Sequence, residues 1–302
     1  MDRFKEMQVF VRVAERSSFA WAAADLLLPR STVTNVIKRM EARLNARLLE
    51  RTTRKVRLTL DGEAYYKKCI RLLTDLDDME SSLSGTTPKG VLRINLQGTL
   101  ASHFVMPNIK KFIVQYPEIN LQIGEDDRLV DLVTEGIDCV LRAGELKDSS
   151  LIAKKLADLT QLTVASPDYL KEHGKPLSLD DLQSHIAVGY SLDAASKPTT
   201  LDFKVDNTYI DVNLPSITHV AGADLYTNAC LAGLGLIQVP KYRILKELAL
   251  GELIPVLPQY TPPPMPVSAL YPQNRHLSPR IRAFVNWLQE IFTQLKSMPE
   301  IS

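Results

Sequence analysis

Two periods govern the apolar positions of the first fifty-eight residues. Phe4, Met7, Val9, Phe10 and Val13 share one helical stripe, and Val33, Val36, Ile37, Met40 and Leu44 share another. Between them, Ser17 and Ser18 suit the N-cap of a short helix from Phe19 to Leu27, rich in Ala so that a neighbour can approach closely. Leu28 and Pro29 alone separate it from the next helix, with Pro29 suited to a first-turn position. That is the tight geometry of a helix-turn-helix. RTTRKVRLT then sets Arg54, Val56 and Leu58 against Lys55, Arg57 and Thr59, a period of two that predicts a small basic wing. The third helix begins with Ser31, Thr32, Thr34 and Asn35, all poor helix formers on or near the face opposite its apolar stripe. Either they cap and tolerate the helix, or they touch something.

Farther on, Tyr65, Cys69, Leu72, Leu76, Met79 and Leu83 repeat at alternating steps of four and three between Asp61 and Ser84. That is a heptad seam on a helix about 36 Å long. A second copy of this helix is expected to cover the seam and make these six residues the dimer contact; the alternative is cover by the rest of the chain. SGTTPKG, residues 84–90, reads as a linker. Beyond it, VLRINL, INLQIGE and IDCVLRAGE read as strands alternating with a helix from Ser102 to Val114 and a short one at LVDLVTEG. This βαβα rhythm predicts a parallel sheet covered by helices. A second unit starts at LTVASPDYL and takes in a strand at IAVGYSL, a helix from Asp224 to Ala232 and a strand at LGLIQVP. TPPPMPVSALYP reads as an extended return, and SPRIRAFVNWLQEIF as a closing helix capped by Ser278 with Pro279 in its first turn.

Composition narrows the class. With 45 % apolar and 24 % charged residues over 302 positions, the chain is an ordinary globular protein long enough for two or more domains. No apolar run reaches the roughly 18 residues of a membrane span, and the charged N-terminus has no signal core. Cys69, Cys139 and Cys230 are far apart and odd in number, which argues for reduced thiols; a cytoplasmic protein with no membrane partner is expected. The net charge of +1 hides an asymmetry: residues 1–58 carry 13 Lys and Arg against 6 Asp and Glu. A basic head on a mildly acidic body is the footprint of a part that meets a polyanion, or else a solvated surface. The five histidines are scattered, GLG at 233–235 lacks the rest of a dinucleotide loop, and no HExxH, GxSxG or P-loop pattern occurs. No cofactor, metal site or catalytic residue is therefore expected, and the chain reads as no enzyme.

A tight helical pair, a basic wing and a paired helix together describe a reader of duplex DNA. The segments FVRVAERSSFAWAA, LPRSTVTNVIKRMEARL, RLLERTTRKVRLT and DGEAYY closely resemble the winged helix-turn-helix of LysR-type transcriptional regulators. VLRINL, YPEINLQI, EGIDCVLRAGEL, SPDYL, GLGLIQVP, GELIPVLP and the stretch from PPMPVSALYP to RAFVNWL extend that resemblance over nearly the whole chain. It implies an α/β protein in three parts: a winged helix-turn-helix DNA-binding domain (1–58), a linker and dimerisation helix with hinge (59–88), and a two-lobed effector-binding domain of the periplasmic-binding-protein type (89–302). Lobe I would span about 89–161 and 267–302, and lobe II about 162–266.

By the same resemblance Arg30, Ser31, Thr32, Thr34 and Asn35 fall where the family touches base edges or nearby phosphates. Lys38 and Arg54 fall where it grips backbone, with Arg51 and Arg57 as further phosphate contacts; Arg51 reads equally as a structural partner of the helix. Asn35 stands where the family usually has Arg, and Asn45 replaces the usual turn glycine, which Asn can do because it tolerates the left-handed conformation. Gln97, Thr99 and Ser102 fall beside the first helix of the body, where the family commonly holds its inducer, although helix capping is an equal reading for Thr99 and Ser102. Leu100 and Ala101 are less polar than in many relatives, pointing to a less charged or partly apolar ligand. Asp127, Arg142, His219 and Gln238 stand near strand ends expected to face the cleft, with core or surface roles as the alternative. The implied partners are double-stranded promoter DNA, an organic acid or other small metabolite as effector, a second copy in a homodimer, a homotetramer built from two dimers, and RNA polymerase. The competing expectation is a soluble small-molecule binding protein or α/β enzyme whose head is a protein-interaction module.

Overall fold

The computed structural model describes residues 2–51, 56–84, 87–126, 132–144, 151–190, 199–272 and 278–296, without the side chains of 51, 77–84, 133–134 and 295–296. The head comprises α1 (Arg3–Arg16), α2 (Phe19–Asp25), α3 (Arg30–Leu44) and the antiparallel pair β1 (Leu49–Arg51) and β2 (Val56–Leu58). Val9, Phe10, Val13, Phe19, Ala22, Val33, Val36, Ile37, Met40 and Leu48 are buried together as its core. Each Val, Ile, Leu, Met or Phe among them contributes roughly 1.5–3 kcal/mol by leaving water.

Helix α2 stops two residues short of the expected Leu27. Leu27 adopts a left-handed backbone (φ 52°), and its N–H bonds Ala24 O at 3.2 Å while Leu28 N–H bonds Ala23 O at 3.0 Å. These two bonds satisfy the last carbonyls of α2 and close it. Pro29 then sits at the N-cap of α3 in an extended conformation, and its carbonyl accepts the Val33 N–H at 3.2 Å. The far end of α3 closes in the same way, with Asn45 left-handed (φ 48°) and Ala46 N–H bonding Glu41 O at 3.2 Å.

Helix α4 (Leu60–Ser84) follows, and its seam divides. Cys69 is 1 % exposed within the head's own core, and the Tyr65 ring packs on Phe10 at 5.5 Å. These two expected dimer contacts are consumed inside the chain. An apolar stripe asks only for cover, and α1 supplies it here. Leu72 is exposed and Leu76 half-buried, while the side chains of Met79 and Leu83 lie outside the described residues. Gly62 is required in the first turns of α4, because a Cβ there would run into the Leu48 carbonyl.

The body begins with β3 (Gly90–Leu96), α5 (Gly98–Leu100), α6 (Ile109–Gln115), β4 (Ile119–Glu125), α7 (Leu132–Glu135), β5 (Cys139–Ala143) and β6 (Leu151–Leu159). A second lobe holds β7 (Gln161–Ala165), α8 (Pro167–His173), β8 (Thr199–Val205), β9 (Thr208–Leu214), α9 (Ala223–Leu231), β10 (Ile237–Pro240), α10 (Leu245–Leu250) and β11 (Ile254–Pro255). The chain returns through β12 (Met265–Pro272) to α11 (Pro279–Lys296), where Ser278 Oγ accepts the Ile281 N–H at 3.3 Å. The five-stranded sheet has the order β4-β3-β5-β12-β6; β4 and β5 run parallel to β3, and β12 is antiparallel to both its neighbours. Helix α11 buries Phe284, Trp287, Leu288 and Phe292 in the same core as Phe104 and Phe112.

Three local expectations change. The helix expected from Ser102 to Val114 is broken. Residues Ala101–Val105 form a wide turn, closed by Met106 N–H to Ala101 O at 2.9 Å, and Pro107 has no N–H with which to continue it. The second lobe is built on the antiparallel sheet β10-β7-β11 instead of a parallel one. Within IAVGYSL the described residues, 186–190, form isolated bridges at Ala187 to Leu236 and Gly189 to His219 in place of the expected strand. The two connections between lobes run side by side, joined where Gln161 Nε2 donates to Pro263 O at 2.8 Å.

Candidate DNA interface and effector cleft

The head offers one polar helix face. Because Val33, Val36, Ile37 and Met40 bury one stripe of α3, Arg30, Ser31, Asn35 and Lys38 are exposed on the other, with Thr32 and Thr34 half-buried beside them. Arg57 is exposed on the wing strand β2; Arg54 and the Arg51 side chain lie outside the described residues. Sequence reasoning missed Glu41, whose Oε1 accepts two successive wing amides, Leu48 N–H at 2.9 Å and Leu49 N–H at 3.1 Å. That carboxylate fixes the wing to α3. Arg43, in the last turn of α3, donates to Glu6 Oε2 at 3.0 Å and so ties α3 to α1.

The second feature is a cleft of about 360 Å³ where the two lobes meet. Gln97, Thr99, Ala143 and Met265 line it from the first lobe and its return strand; Gln161, Tyr190, Thr200, Asp202, Tyr226, Gln238, Tyr242 and Arg243 are among the residues of the remaining wall. Gln97 Oε1 accepts the Ala143 N–H at 2.9 Å, which leaves its NH2 for the cavity. Thr99 Oγ1 is 3.1 Å from the Tyr242 hydroxyl, a direct bond from the start of α5 to the segment after β10. Tyr242 itself packs on Phe104 at 4.7 Å. Gln238 is engaged at both ends of its amide: its Nε2 donates to Asp202 O at 2.8 Å and Thr163 Oγ1 at 3.2 Å, and its Oε1 accepts the Asp202 N–H at 3.0 Å. It braces the hairpin β8–β9 against β10 with both amide protons engaged, and one acceptor site of Oε1 remains.

The other sequence candidates are placed elsewhere. Ser102 is exposed, and its hydroxyl bonds Thr99 O at 3.3 Å and His103 Nδ1 at 3.2 Å, away from the described cavity wall. Arg142 is 6 % exposed inside the first lobe, donating to Asn95 Oδ1 at 2.7 Å, because its strand is central to the sheet. His219 lies against Gly189, outside the described lining of the cleft. Asp127 lies outside the described residues. Asp202, Tyr226, Tyr242 and Arg243 were missed. They stand on a hairpin, a helix and a turn far apart in sequence, and only the fold joins them. Burial pushes the Tyr226 phenol well above its ordinary range, so it stays protonated. Burial likewise pushes Cys69 up to about 11 and Cys139 and Cys230 up to about 12, which leaves all three as thiols at neutral pH.

Among the described residues no group of three or more His, Cys, Asp or Glu is placed to hold a metal ion, and no helix is long and apolar enough to cross a membrane. A winged helix-turn-helix followed by a two-lobed domain with a cleft defines a DNA-binding regulator that senses a small molecule. Residues 4–63 match the bacterial regulatory helix-turn-helix of the lysR family, and residues 85–293 match the LysR substrate binding domain. The chain is 36 % identical over 296 residues to an uncharacterised HTH-type regulator, YhjC, of Escherichia coli K12, covering 97 % of this chain and 99 % of that one. It is also 36 % identical over 296 residues to an HTH-type transcriptional repressor of Pseudomonas aeruginosa UCBPP-PA14, covering 97 % and 93 %. Among solved structures it resembles CrgA, a LysR-type transcriptional regulator from Neisseria meningitidis, with a TM-score of 0.57, 30 % identity, and 95 % and 98 % of the two chains covered. The chain belongs to the LysR family of transcriptional regulators.

Proposed function

We propose that this regulator reads an interrupted palindrome through the exposed face of α3 and changes its grip on promoter DNA when a small metabolite closes the cleft. The observation that carries this reading is the outward stripe of Arg30, Ser31, Asn35 and Lys38 opposite a fully buried apolar stripe on one helix. Asn35 offers the bidentate geometry that suits adenine, Ser31 and Thr34 offer short hydroxyls, and Thr32 offers a methyl for thymine contact. Lys38, Arg30, Arg57, Arg51 and Arg54 are assigned to phosphates. Residues 1–58 serve as the DNA-binding domain, 59–88 as linker and dimerisation helix, and 89–302 as the effector domain. Leu72, Leu76, Met79 and Leu83 are the part of the seam assigned to the partner copy, in a dimer that pairs into a tetramer. The protein acts in the cytoplasm, and its effect on transcription passes through RNA polymerase at the bound promoter.

Gln97 and Thr99 are the cleft residues assigned to the effector, since both line the cavity and Gln97 keeps a donor free. Closing the lobes on a ligand shifts the population of one arrangement over another, and with it the spacing of the two recognition helices. A gel shift with DNA upstream of the protein's own gene tests the DNA-reading half. A specific complex that weakens steeply with salt is expected; binding no tighter than to scrambled DNA at every salt concentration would sink it. A thermal-shift panel tests the cleft half, because a ligand at 100 times its Kd stabilises by about 2.7 kcal/mol.

A further inference from the structure

The described wall of the cleft carries one acid and one base, Asp202 and Arg243, and the fold answers neither charge fully. Leu201 and Phe203 are buried in the core of the second lobe, while Thr200, Leu201 and Asp202 form one edge of the cavity lining. The register of β8 and β9 sets Asp211 directly across from Asp202. Like charges opposed on a hairpin repel, and burial followed by the Asp211 carboxyl holds Asp202 above the usual carboxylate range. Lys204, the next outward residue of β8, lies opposite Tyr209. A cation delivered from the cavity would relieve the repulsion. The faces of Tyr190 and Tyr226, whose ring centroids are 5.1 Å apart in an edge-on pair, are suited to the same group.

Arg243 is the complementary case. Its side chain is 8 % exposed, and every contact it makes among the described residues runs through Nη2: to Ala223 O, to Thr227 Oγ1 at 2.9 Å, and to the exposed Asp224 at 3.9 Å. Nε and Nη1 are left with no acceptor among the described residues. Both two-bond forks of a guanidinium use Nη2, which is already engaged here, so the group can donate a single charge-assisted bond from Nη1 or Nε to a carboxylate oxygen. Helix α9 starts at the Ala223 it contacts and adds its positive end.

We propose that the effector is a small zwitterion, an amino acid in the broad sense, with its protonated amine against Asp202 and its carboxylate against Arg243. The inference rests on the cleft being the effector site and adds the class of ligand. Full-length protein is titrated by calorimetry and thermal shift with the standard L-amino acids, β-alanine and 4-aminobutyrate, each beside the carboxylate and the amine that lack one of its charges. A zwitterion is expected to bind at least about tenfold more tightly than either half-molecule. Asp202→Asn should lose most of that preference while leaving the carboxylate half unchanged. Arg243→Gln should weaken both, and Arg243→Lys, which keeps the charge, should recover part of the loss. Two results overturn the proposal: no zwitterion of the panel binding, or a plain carboxylate binding as well as its zwitterion with Asp202→Asn indifferent. If a carboxylate binds and Thr99→Val weakens it, the cleft remains the effector site and only the zwitterion falls.

Discussion

The recognition head and the effector cleft are built on opposite principles. The head takes its functional face from fifteen consecutive residues of α3, where one apolar stripe dictates which side chains face outward. The cleft takes its face from at least six separate segments between Gln97 and Met265, none of which has a pattern that names its role. In the head, the buried stripe and the face proposed to meet DNA are the two sides of a single helix. In the cleft, wall residues are held by individual bonds between distant segments, as Gln238 is by Asp202 and Thr163, and Thr99 by Tyr242. The head is therefore expected to fail as a unit, and the cleft residue by residue.

That contrast is broken or sharpened most forcefully in the core. Ile37→Ala removes a fully buried side chain from beneath the recognition face and should destabilise the head by about 2–5 kcal/mol, lowering its melting temperature and weakening binding to every DNA sequence alike. Thr99→Val removes the acceptor of the buried Tyr242 hydroxyl and should cost the free protein about 1–3 kcal/mol, less than the core truncation, while also reducing the ligand-induced shift. Calorimetry with and without ligand separates the two, and equal effects on both quantities would erase the contrast. Lys38→Ala is a smaller test within the head: the slope of log binding constant against log salt should fall by about one unit, with no change in sequence preference.

The smallest expected effect is on pH dependence, and it is confined to the second lobe. His185 is 2 % exposed, with its Nδ1 at 3.0 Å from the Tyr169 hydroxyl. Burial, and then the neighbouring His173, disfavour its imidazolium, with Asp181 opposing them, so its folded value lies below the ordinary one. The unfolded chain then takes up the proton first. Stability from neutral His185 is complete above the ordinary value of about 6.5 and is lost as pH falls through that value toward the folded one. Thermal melts from pH 8 to pH 5 should show the decline, and His185→Gln should flatten it. Equal slopes for the two proteins would show that His185 is not the group responsible.

The legibility of the sequence follows the same division. The three head helices and the closing helix were readable because burial repeats along them at a helical period. Element ends were less so: Leu27 is a left-handed residue of an unusual type, and nothing in a leucine announces a helix stop. The heptad at Tyr65 and Cys69 was read as a dimer seam, because periodicity shows that a stripe is covered without showing by what. In the cleft, Gln97 and Thr99 were reached through family resemblance, while Ser102 and Arg142 share its neighbourhood in sequence yet face away from the described cavity. The hairpin carrying Asp202 went unread, although its left-handed pair Asp206–Asn207, between alternating apolar residues, is a usable turn signal. Tyr242 and Arg243 had no such signal. Their role depends on contacts to Thr99 and Thr227, 143 and 16 residues away.

The central claim is that the outward face of α3 reads base edges, and Asn35 is the residue on which it turns. The direct measurement compares wild type and Asn35→Ala on every single-base-pair variant of the bound operator at fixed salt. The account predicts a loss of about 1–3 kcal/mol on the wild-type operator, with discrimination relaxed at only one or two base pairs of each half-site. A uniform loss that leaves preference intact at every position would contradict it and make Asn35 a backbone contact.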